Sequence, residues 1–292
     1  MELKAYLSDK QSFINEQLRM YVRDYTVPGR LQDSIIYSIE AGGKRLRPIL
    51  LLATAEAFGA PSEKGVTAAA ALEMVHTYSL IHDDLPAMDN DDYRRGMPTN
   101  HKKFDEATAI LAGDALLTMS TQLIAEDPSL EQTEKLFLIQ ELTKAAGPRG
   151  MVEGQMQDML SEGKEISLEA LENIHRNKTG RLLDFAICAG ARLGNASKES
   201  MEQMSEMAEA LGLIFQIQDD ILDVTGDAEV IGKPVGSDVI NDKSTYPGLL
   251  GLDGAVNQKN DYVGTAQAAL KEAGVEGTVL SQLIHYLSTR DH

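Results

Sequence analysis

The feature that most constrains the fold is the spacing of apolar residues, which recur three and four positions apart along almost the whole sequence. This spacing places them on one face of an α-helix, and no stretch shows the strict alternation of a half-buried strand. One helix is expected after Pro28-Gly29 and ends near Ala41, and another follows Asp127-Pro128, with the aspartate as its N-cap. The predicted helical ranges elsewhere are 2–22, 49–58, 66–81, 106–125, 149–160, 168–193, 199–224, 250–273 and 276–289. No linker, repeat or abrupt change of composition divides the chain, so one all-α domain over residues 1–292 is predicted.

The charge balance excludes several classes of partner. Lys and Arg total 27 and Asp and Glu total 45, a net charge of −18, which argues against nucleic acid and anionic membrane surfaces. The single cysteine, Cys188, cannot form an internal disulfide and suits a reducing compartment. No signal peptide is expected, and no apolar run approaches the roughly 18 residues of a membrane span. A soluble, cytoplasmic protein is therefore predicted.

An acidic cluster follows the apolar helix at 66–81. Five aspartates lie between Asp83 and Tyr93, at the helix end that already carries a partial negative charge. Carboxylate oxygens at this density suit Mg²⁺, which keeps several waters and is shared with phosphate-bearing substrates. Because the residue before a proline resists the α conformation, Pro86 should end the helix near Leu85, and an irregular turn should bring Asp89 back.

A second acidic cluster ends another apolar stretch. Asp219 and Asp223 are four residues apart, on one helical face, and Asp220 lies close enough to support them. Two core helices that both end in aspartates would be intolerable as unpaired buried charge. We therefore expect the two clusters to face each other across a cavity and to share metal ions.

Cations occur in small, isolated sets. Lys44, Arg45 and Arg47 follow a Gly-Gly break, where backbone donors and side chains could clamp a diphosphate. Further sets are Arg94-Arg95, the tripeptide Lys178-Thr179-Gly180 that interrupts a helix, and Ile231-Gly232-Lys233 in a long loop predicted over Gly226–Gly248. None of these sets fits the P-loop pattern.

Taken in order, the motifs GGKRLRP, HxxSLIHDDxxxxDxDxxRRG, LAGDAL, KTG, FQxxDDxLD and DKSTYP resemble the trans-isoprenyl diphosphate synthases of the polyprenyl synthetase family. The resemblance extends from about residue 30 to the end of the chain and is strongest to the bacterial short-chain enzymes that make farnesyl diphosphate. It implies mostly antiparallel helices packed around a deep central cavity, and a homodimer with the LAGDAL helix as a plausible dimer-side element.

The resemblance also implies residue roles. The expected Mg²⁺ ligands are Asp83, Asp89 and Asp219, supported by Asp84 and Asp223. The site for isopentenyl diphosphate is expected to contain Lys44, Arg47, His76 and Arg95. The contacts to the allylic diphosphate are expected to be Arg94, Lys178, Thr179, Gln216 and Lys233. The residues expected to act in catalysis are Asp83, Asp84, Asp89, Arg94, Lys178, Asp219 and Lys233. The aspartates are expected to act through the Mg²⁺ that they hold, and the three cations by neutralising charge on the leaving diphosphate.

The implied reaction is the Mg²⁺-assisted ionisation of dimethylallyl or geranyl diphosphate, followed by condensation with isopentenyl diphosphate. Within the family, a bulky residue five positions before the first aspartate, together with a two-residue expansion of the first aspartate motif, accompanies a C15 product. Here the bulky residue is Tyr78, followed by Ser79, and the expanded DDxxxxD motif is present. Alternatively, Tyr78 is only a core aromatic, and Val75 or Met119 sets the cavity floor. A C20 synthase and a non-catalytic partner subunit also stay open, whereas a terpene cyclase is disfavoured because its second metal motif differs.

Overall fold

The described residues confirm the all-α fold class. A computed structural model of the chain describes residues 2–226 and 244–290. The helices are α1 Leu3–Tyr25, α2 Arg30–Glu40, α3 Leu46–Ala57, α4 Val66–Asp83, α5 Asn100–Lys103, α6 Glu106–Glu126, α7 Gln132–Ala146, α8 Met151–Ser161, α9 Leu168–His175, α10 Arg181–Leu193, α11 Lys198–Thr225, α12 Tyr246–Glu272 and α13 Val279–Thr289. The shorter elements are a 3₁₀ turn at Ser62–Gly65, a π turn at Arg176–Gly180, and a hairpin of β1 Tyr93–Arg94 with β2 Met97–Pro98.

The helices form two compact units, and the first contains the described residues up to Leu52 together with Pro61–Ile139. Its central element is α4, which packs against α1, α2 and α6 and is buried on almost every side. A helix this apolar all round belongs in a core rather than on a surface. The crossing with α6 is close, because a Cβ on Gly113 would lie 2.1 Å from Nε2 of His82. The glycine therefore lets the end of α4 reach α6.

The second unit contains Ala53–Ala60 and the described residues from Gln140 onward. Its central element is α11, which packs against α10, α12, α13 and the π turn. A core cluster joins α9, α11 and α12, and its buried members are Leu171, Leu213, Ile217, Ile221, Tyr246 and Ala255. Gly251, with φ of 72°, kinks α12 near its start. The buried face of α11 thus leads directly to the second aspartate cluster.

The start of α7 differs from the sequence prediction. Asp127 and Pro128 do not begin this helix; instead the Asp127 carboxylate accepts hydrogen bonds from the amide (2.8 Å) and hydroxyl (2.7 Å) of Ser129. This local turn competes with helix formation. The helix begins at Gln132, where Glu134 Oε2 accepts from the Glu131 amide at 2.9 Å. The prediction was wrong because an aspartate before a proline serves a turn as well as a helix cap.

One helix, α6, differs from the prediction that no apolar run approaches the length of a membrane span. By length and composition alone, α6 could cross a membrane, since an 18-residue window has a mean hydropathy of 1.3. Core helices of soluble proteins pass the same test, and α6 packs against α4 and α2 within its unit. The finding is therefore weak evidence for a membrane span.

Candidate active site

The first aspartate cluster begins where α4 ends. Asp83 is the last helical residue, and Asp84 follows as the C-cap. The chain then turns back, so that the amide of Asp89 donates to the carbonyl of Asp83 at 2.9 Å. The predicted helix end near Leu85 and the irregular return of Asp89 are both confirmed. Asp83 is partly buried and Asp89 is exposed, so both lie within reach of solvent.

Asp84 is held by an arginine from the hairpin. Its Oδ1 accepts from Arg94 Nε at 2.8 Å and lies 2.7 Å from Arg94 Nη2, and the carboxylate is only 5% exposed. Burial raises the pKa of the Asp84 carboxyl, and the Arg94 guanidinium opposes that change. Arg94 also lies 3.8 Å from Asp91. The structure therefore places the hairpin arginine, predicted to contact a diphosphate, against the acidic cluster itself.

Three of the four residues predicted to bind isopentenyl diphosphate come together around α4. Nη1 of Arg47 lies 3.3 Å from Nε2 of His76, at hydrogen-bonding distance. Burial, and then the nearby charges of Arg47, Arg95, Arg45 and Arg94, hold the pKa of His76 well below its ordinary value. His76 is therefore neutral at pH 7, and the positive charge here belongs to the guanidinium groups.

The fourth residue, Lys44, is exposed in the loop between α2 and α3. This loop follows Gly42 and Gly43, with φ values of 89° and 139°, which glycine adopts most readily. Arg95 donates to the carbonyl of Gly42, and a Cβ on Gly43 would lie 2.6 Å from Arg95 Nη1. The second glycine therefore makes room for the guanidinium of Arg95.

Lys178 and Thr179 lie in the π turn of the second unit, which confirms that this tripeptide interrupts a helical stretch. Such turns inside helices often occur at functional sites. Nζ of Lys178 pairs with Oδ2 of Asp158 on α8 at 2.6 Å. Gly154 allows this approach, because a Cβ there would lie 2.1 Å from the Lys178 amide nitrogen. Sequence reasoning missed Asp158, although its place one helical turn after Gly154 offered a weak signal.

Thr179 connects the π turn to the second aspartate cluster on α11. Its hydroxyl donates to Oε1 of Gln216 at 2.6 Å, and Gln216 precedes Asp219 by three residues. The structure thus brings together two of the residues predicted to contact the allylic diphosphate. Lys233, predicted for the same set, and most of the predicted loop at Gly226–Gly248 lie outside the described residues.

Asp219 has a partner that the sequence did not predict. Nη2 of Arg290, just after α13, lies 2.5 Å from Oδ1 of Asp219, and its guanidinium stacks 4.3 Å from the ring centre of Phe215. The arginine side chain is 4% exposed, whereas Asp219 is 41% exposed. Asp219 therefore stays open to solvent on one side while a buried cation fixes the other. Only the burial of Arg290, which the sequence does not show, reveals this pairing.

Asp220 has a structural task. It is 7% exposed, and its Oδ2 accepts from the amide of Tyr246 at 2.9 Å, at the first residue of α12. A carboxylate at a helix N-terminus is stabilising there. Asp220 thus joins α11 to α12, and the surface-facing positions of this cluster are Asp219 and the partly buried Asp223.

The donor chemistry of each aspartate cluster fits Mg²⁺. Among residues 2–226 and 244–290, no group of three His, Cys, Asp or Glu side chains is arranged so that it could hold a metal ion. Asp83, Asp89 and Asp219 nevertheless offer hard carboxylate oxygens that are partly or fully open to solvent. This suits an ion that binds one or two carboxylates and completes its shell with water and phosphate. The Mg²⁺ ligand set stays a prediction.

Tyr78 and Ser79 lie on α4 before the first cluster. Tyr78 is 7% exposed, and its ring packs edge-on against His82 with centroids 5.7 Å apart. Burial, and then the charge of Asp83, raise the pKa of its hydroxyl. Ser79 donates to the carbonyl of His76 at 3.0 Å. A buried aromatic one to two helical turns before Asp83 has the position expected of a cavity floor, and this role stays a prediction.

Similarity to known proteins decides the family of this chain. The Polyprenyl synthetase family model matches residues 28–279. The chain belongs to the polyprenyl synthetase family. It is 49% identical to a farnesyl diphosphate synthase of Geobacillus stearothermophilus, covering 100% of this chain and 99% of the relative. A geranylgeranyl pyrophosphate synthase of Catharanthus roseus is 42% identical, covering 100% of this chain and 82% of the relative.

A solved structure supports the same assignment. The FPP/GFPP synthase of Zymomonas mobilis, in its apo form, matches with a TM-score of 0.83 and 34% identity, covering 97% of this chain and 98% of that one. The resemblance inferred from the motifs is therefore confirmed. Members of this polyprenyl synthetase family are named for different products. Product length therefore depends on individual residues and not on the shared fold alone.

Proposed function

We propose that this polyprenyl synthetase is a farnesyl diphosphate synthase, which condenses isopentenyl diphosphate with dimethylallyl diphosphate and then with geranyl diphosphate. The observation that carries the proposal is 49% identity, over the full chain, to a farnesyl diphosphate synthase. Both aspartate clusters are intact in this sequence, which disfavours a non-catalytic partner subunit.

The cation set in the first unit would bind isopentenyl diphosphate. Arg47 and Arg95 supply permanent charge, and Lys44 adds an exposed ammonium in the loop between α2 and α3. Neutral His76 accepts a hydrogen bond from Arg47 without competing for the anion. Planar guanidinium groups suit this task because they form two parallel hydrogen bonds to phosphate oxygens.

The π turn and α11 in the second unit would contribute to the allylic site. Lys178 and Thr179 lie on one short turn, and the Thr179 hydroxyl orients the amide of Gln216. Lys178 would move from Asp158 to the diphosphate as the substrate binds, since its side chain is 28% exposed. Arg94 and Lys233 complete the proposed set.

Asp83, Asp89 and Asp219 would hold Mg²⁺, supported by Asp84 and Asp223. Bound Mg²⁺ would neutralise the charge that develops on the departing diphosphate. Arg94 and Lys178 would stabilise the same charge by hydrogen bonds that strengthen as the C–O bond breaks. Arg290 would keep the Asp219 carboxylate oriented through Oδ1.

The chain then needs to position two carbon centres and exclude water. Heterolysis of the allylic C–O bond leaves a delocalised cation and free diphosphate. The double bond of isopentenyl diphosphate attacks C1 of that cation, and a proton is lost to the released diphosphate. Within the described residues we find no serine or cysteine activated as a nucleophile, and burial raises the pKa of the Cys188 thiol far above its ordinary value.

Tyr78 would limit the product to C15. We expect Tyr78→Ala to shift the product from C15 towards C20 or longer, because removing a buried ring lengthens the cavity available to the growing chain. Chromatography of the dephosphorylated products measures the shift. Phe137→Ala, which removes another aromatic ring from the same unit, is the control and should keep the C15 product. An unchanged product from a folded Tyr78→Ala enzyme would move the floor to Val75 or Met119.

We propose a cytoplasmic homodimer. Three apolar side chains on α6 are at least 40% exposed within the chain, Ile110, Leu111 and Leu117. A second copy covering them would remove this apolar surface from water. The net charge of −18 disfavours nucleic acid and anionic membrane surfaces as partners.

The direct test of the proposed activity is turnover with and without metal. The purified chain, given Mg²⁺, isopentenyl diphosphate and geranyl diphosphate, should release diphosphate and form an organic-soluble product after phosphatase treatment. Excess EDTA should abolish both, and added Mg²⁺ should restore them. Full turnover in EDTA would show that the aspartate clusters do not act through a divalent cation.

A further inference from the structure

A buried ion pair lies beneath the loop between α2 and α3. Nη1 of Arg45 is 2.6 Å from Oε1 of Glu73, and the two side chains are 2% and 3% exposed. The same guanidinium donates from Nε to Asn15 Oδ1 at 2.8 Å and from Nη2 to the carbonyl of Ile39 at 2.5 Å. Arg45 therefore binds α1, α2 and α4 at once, and it is too deeply buried to bind a ligand.

These contacts hold a strained backbone. Arg45 has φ of 52°, which is uncommon for a residue with a side chain and persists only where surrounding contacts hold it. The loop is anchored further by Gln11, whose amide donates to the carbonyl of Gly43 at 2.6 Å. The conformation that places Lys44 and Arg47 thus depends on buried side chains behind the loop.

The buried pair is one of two parallel connections to α4. Glu73 and His76 are three residues apart and lie on one face of that helix. Arg45 contacts the first and Arg47 contacts the second. The contact between Arg45 and Glu73 therefore restricts the position of the Arg47 guanidinium beside His76.

The negative charge of Glu73 cannot itself attract the anionic diphosphate. Partial burial and the neighbouring arginines lower the pKa of Arg95, whereas Glu73 opposes that change. A carboxylate placed among arginines weakens their attraction for an anion. If Glu73 acted mainly through its charge, removing that charge would strengthen diphosphate binding. If Glu73 acts by positioning the arginines, removing its carboxylate would weaken binding.

We propose that Arg45 and Glu73 are a positioning pair for the isopentenyl diphosphate site, acting through Arg47 and His76 without touching the substrate. This inference rests on the proposed function. It assigns the buried arginine of the GGKRLRP motif a task distinct from that of Lys44 and Arg47.

The test is calorimetric titration of isopentenyl diphosphate into the full chain with Mg²⁺, for the wild type, Glu73→Gln, Arg45→Gln and the double variant. Glu73→Gln makes the site more positive by one charge, and the double variant restores the original net charge. We expect all three to bind about tenfold more weakly, because displaced binding groups lose affinity whatever the net charge. In steady-state assays, KM for isopentenyl diphosphate should rise similarly, while kcat and KM for the allylic substrate stay within about twofold.

The matched control is Glu134→Gln. It breaks the Lys64–Glu134 pair in the same unit, with N–O distance of 2.6 Å and side chains 25% and 10% exposed. Lys64 lies in the 3₁₀ turn before α4, and Val66, the first residue of that helix, is about 15 Å along the helix from His76. This variant should lower Tm and leave the affinity for isopentenyl diphosphate unchanged.

The other possible results distinguish failure of the positioning role from failure of the proposed function. Unchanged or tighter binding by a folded Glu73→Gln chain overturns the positioning role, as does an equal rise in both KM values. If Glu73→Gln does not fold, Asn15→Ala removes only the contact to Nε, and its unchanged affinity would overturn the inference. Wild-type chain that does not bind isopentenyl diphosphate contradicts the proposed function instead.

Discussion

Asp83→Ala should lower kcat by about 10²–10³-fold, because it removes a proposed ligand of the Mg²⁺ that would neutralise charge developing in the transition state. The substitution should leave the fold intact, since Asp83 is partly buried at the end of α4 and its carbonyl, which accepts from Asp89, remains. Steady-state turnover with both substrates and a thermal melt by circular dichroism measure the two expectations.

Asp92→Ala is the matched control for this variant. Asp92 belongs to the same acidic cluster, but it is exposed and pairs with Lys102 at 2.7 Å. Its loss should change kcat by no more than about twofold, as surface ion pairs contribute little. Equal turnover of Asp83→Ala and the wild type would contradict the role of the first cluster.

Arg47→Ala and Lys178→Ala should separate the two diphosphate sites. In the proposed assignment each residue serves one anion, so Arg47→Ala should raise KM for isopentenyl diphosphate about tenfold or more, and Lys178→Ala should do so for the allylic substrate. The other KM should change little in each case. Initial rates, measured with one substrate varied and the other saturating, provide both constants.

Two variants in the same units control for general loss of charge. Arg176→Ala removes a cation from the π turn that pairs with Glu172 and Glu209. Arg30→Ala removes one at the start of α2 that pairs with Asp105. Both should leave the two KM values close to those of the wild type. If Arg47→Ala and Lys178→Ala raised both constants equally, the assignment of residues to sites would be wrong.

Local rules account for the parts of the site that the sequence predicted well. Pro86 restricts the residue before it, so the end of α4 and the return of Asp89 followed from a short stretch of chain. The interruption at Lys178-Thr179-Gly180 was visible because a glycine breaks a helical pattern. The all-α class followed from spacing that persists over the whole chain.

Long-range contacts account for what the sequence missed. Arg290 reaches Asp219 across 71 positions, and Lys178 reaches Asp158 across 20. Neither pairing can be predicted from neighbouring residues. A charged residue in a sequence is normally expected to lie on the solvated surface, and only the structure shows that it is buried. The hairpin of β1 and β2 was not predicted for another reason. Its strands have two residues each, which is too short for the alternation of apolar and polar residues to appear.

The burial of Arg45 shows the same limit inside the GGKRLRP motif. Its neighbours Lys44 and Arg47 were assigned to a site through the family resemblance, whereas nothing in the sequence separates a buried arginine from an exposed one. Its 2% exposure and contacts to three helices make that distinction.

The most direct test of the proposed function is the chain length of the wild-type product. The purified chain is incubated with Mg²⁺, dimethylallyl diphosphate and excess isopentenyl diphosphate, and the products are dephosphorylated and separated by chromatography against C10, C15 and C20 alcohols. Farnesol, the C15 alcohol, is the predicted main product. Geranylgeraniol as the main product would contradict the assigned chain length, and no prenyl alcohol at all would contradict the proposed function.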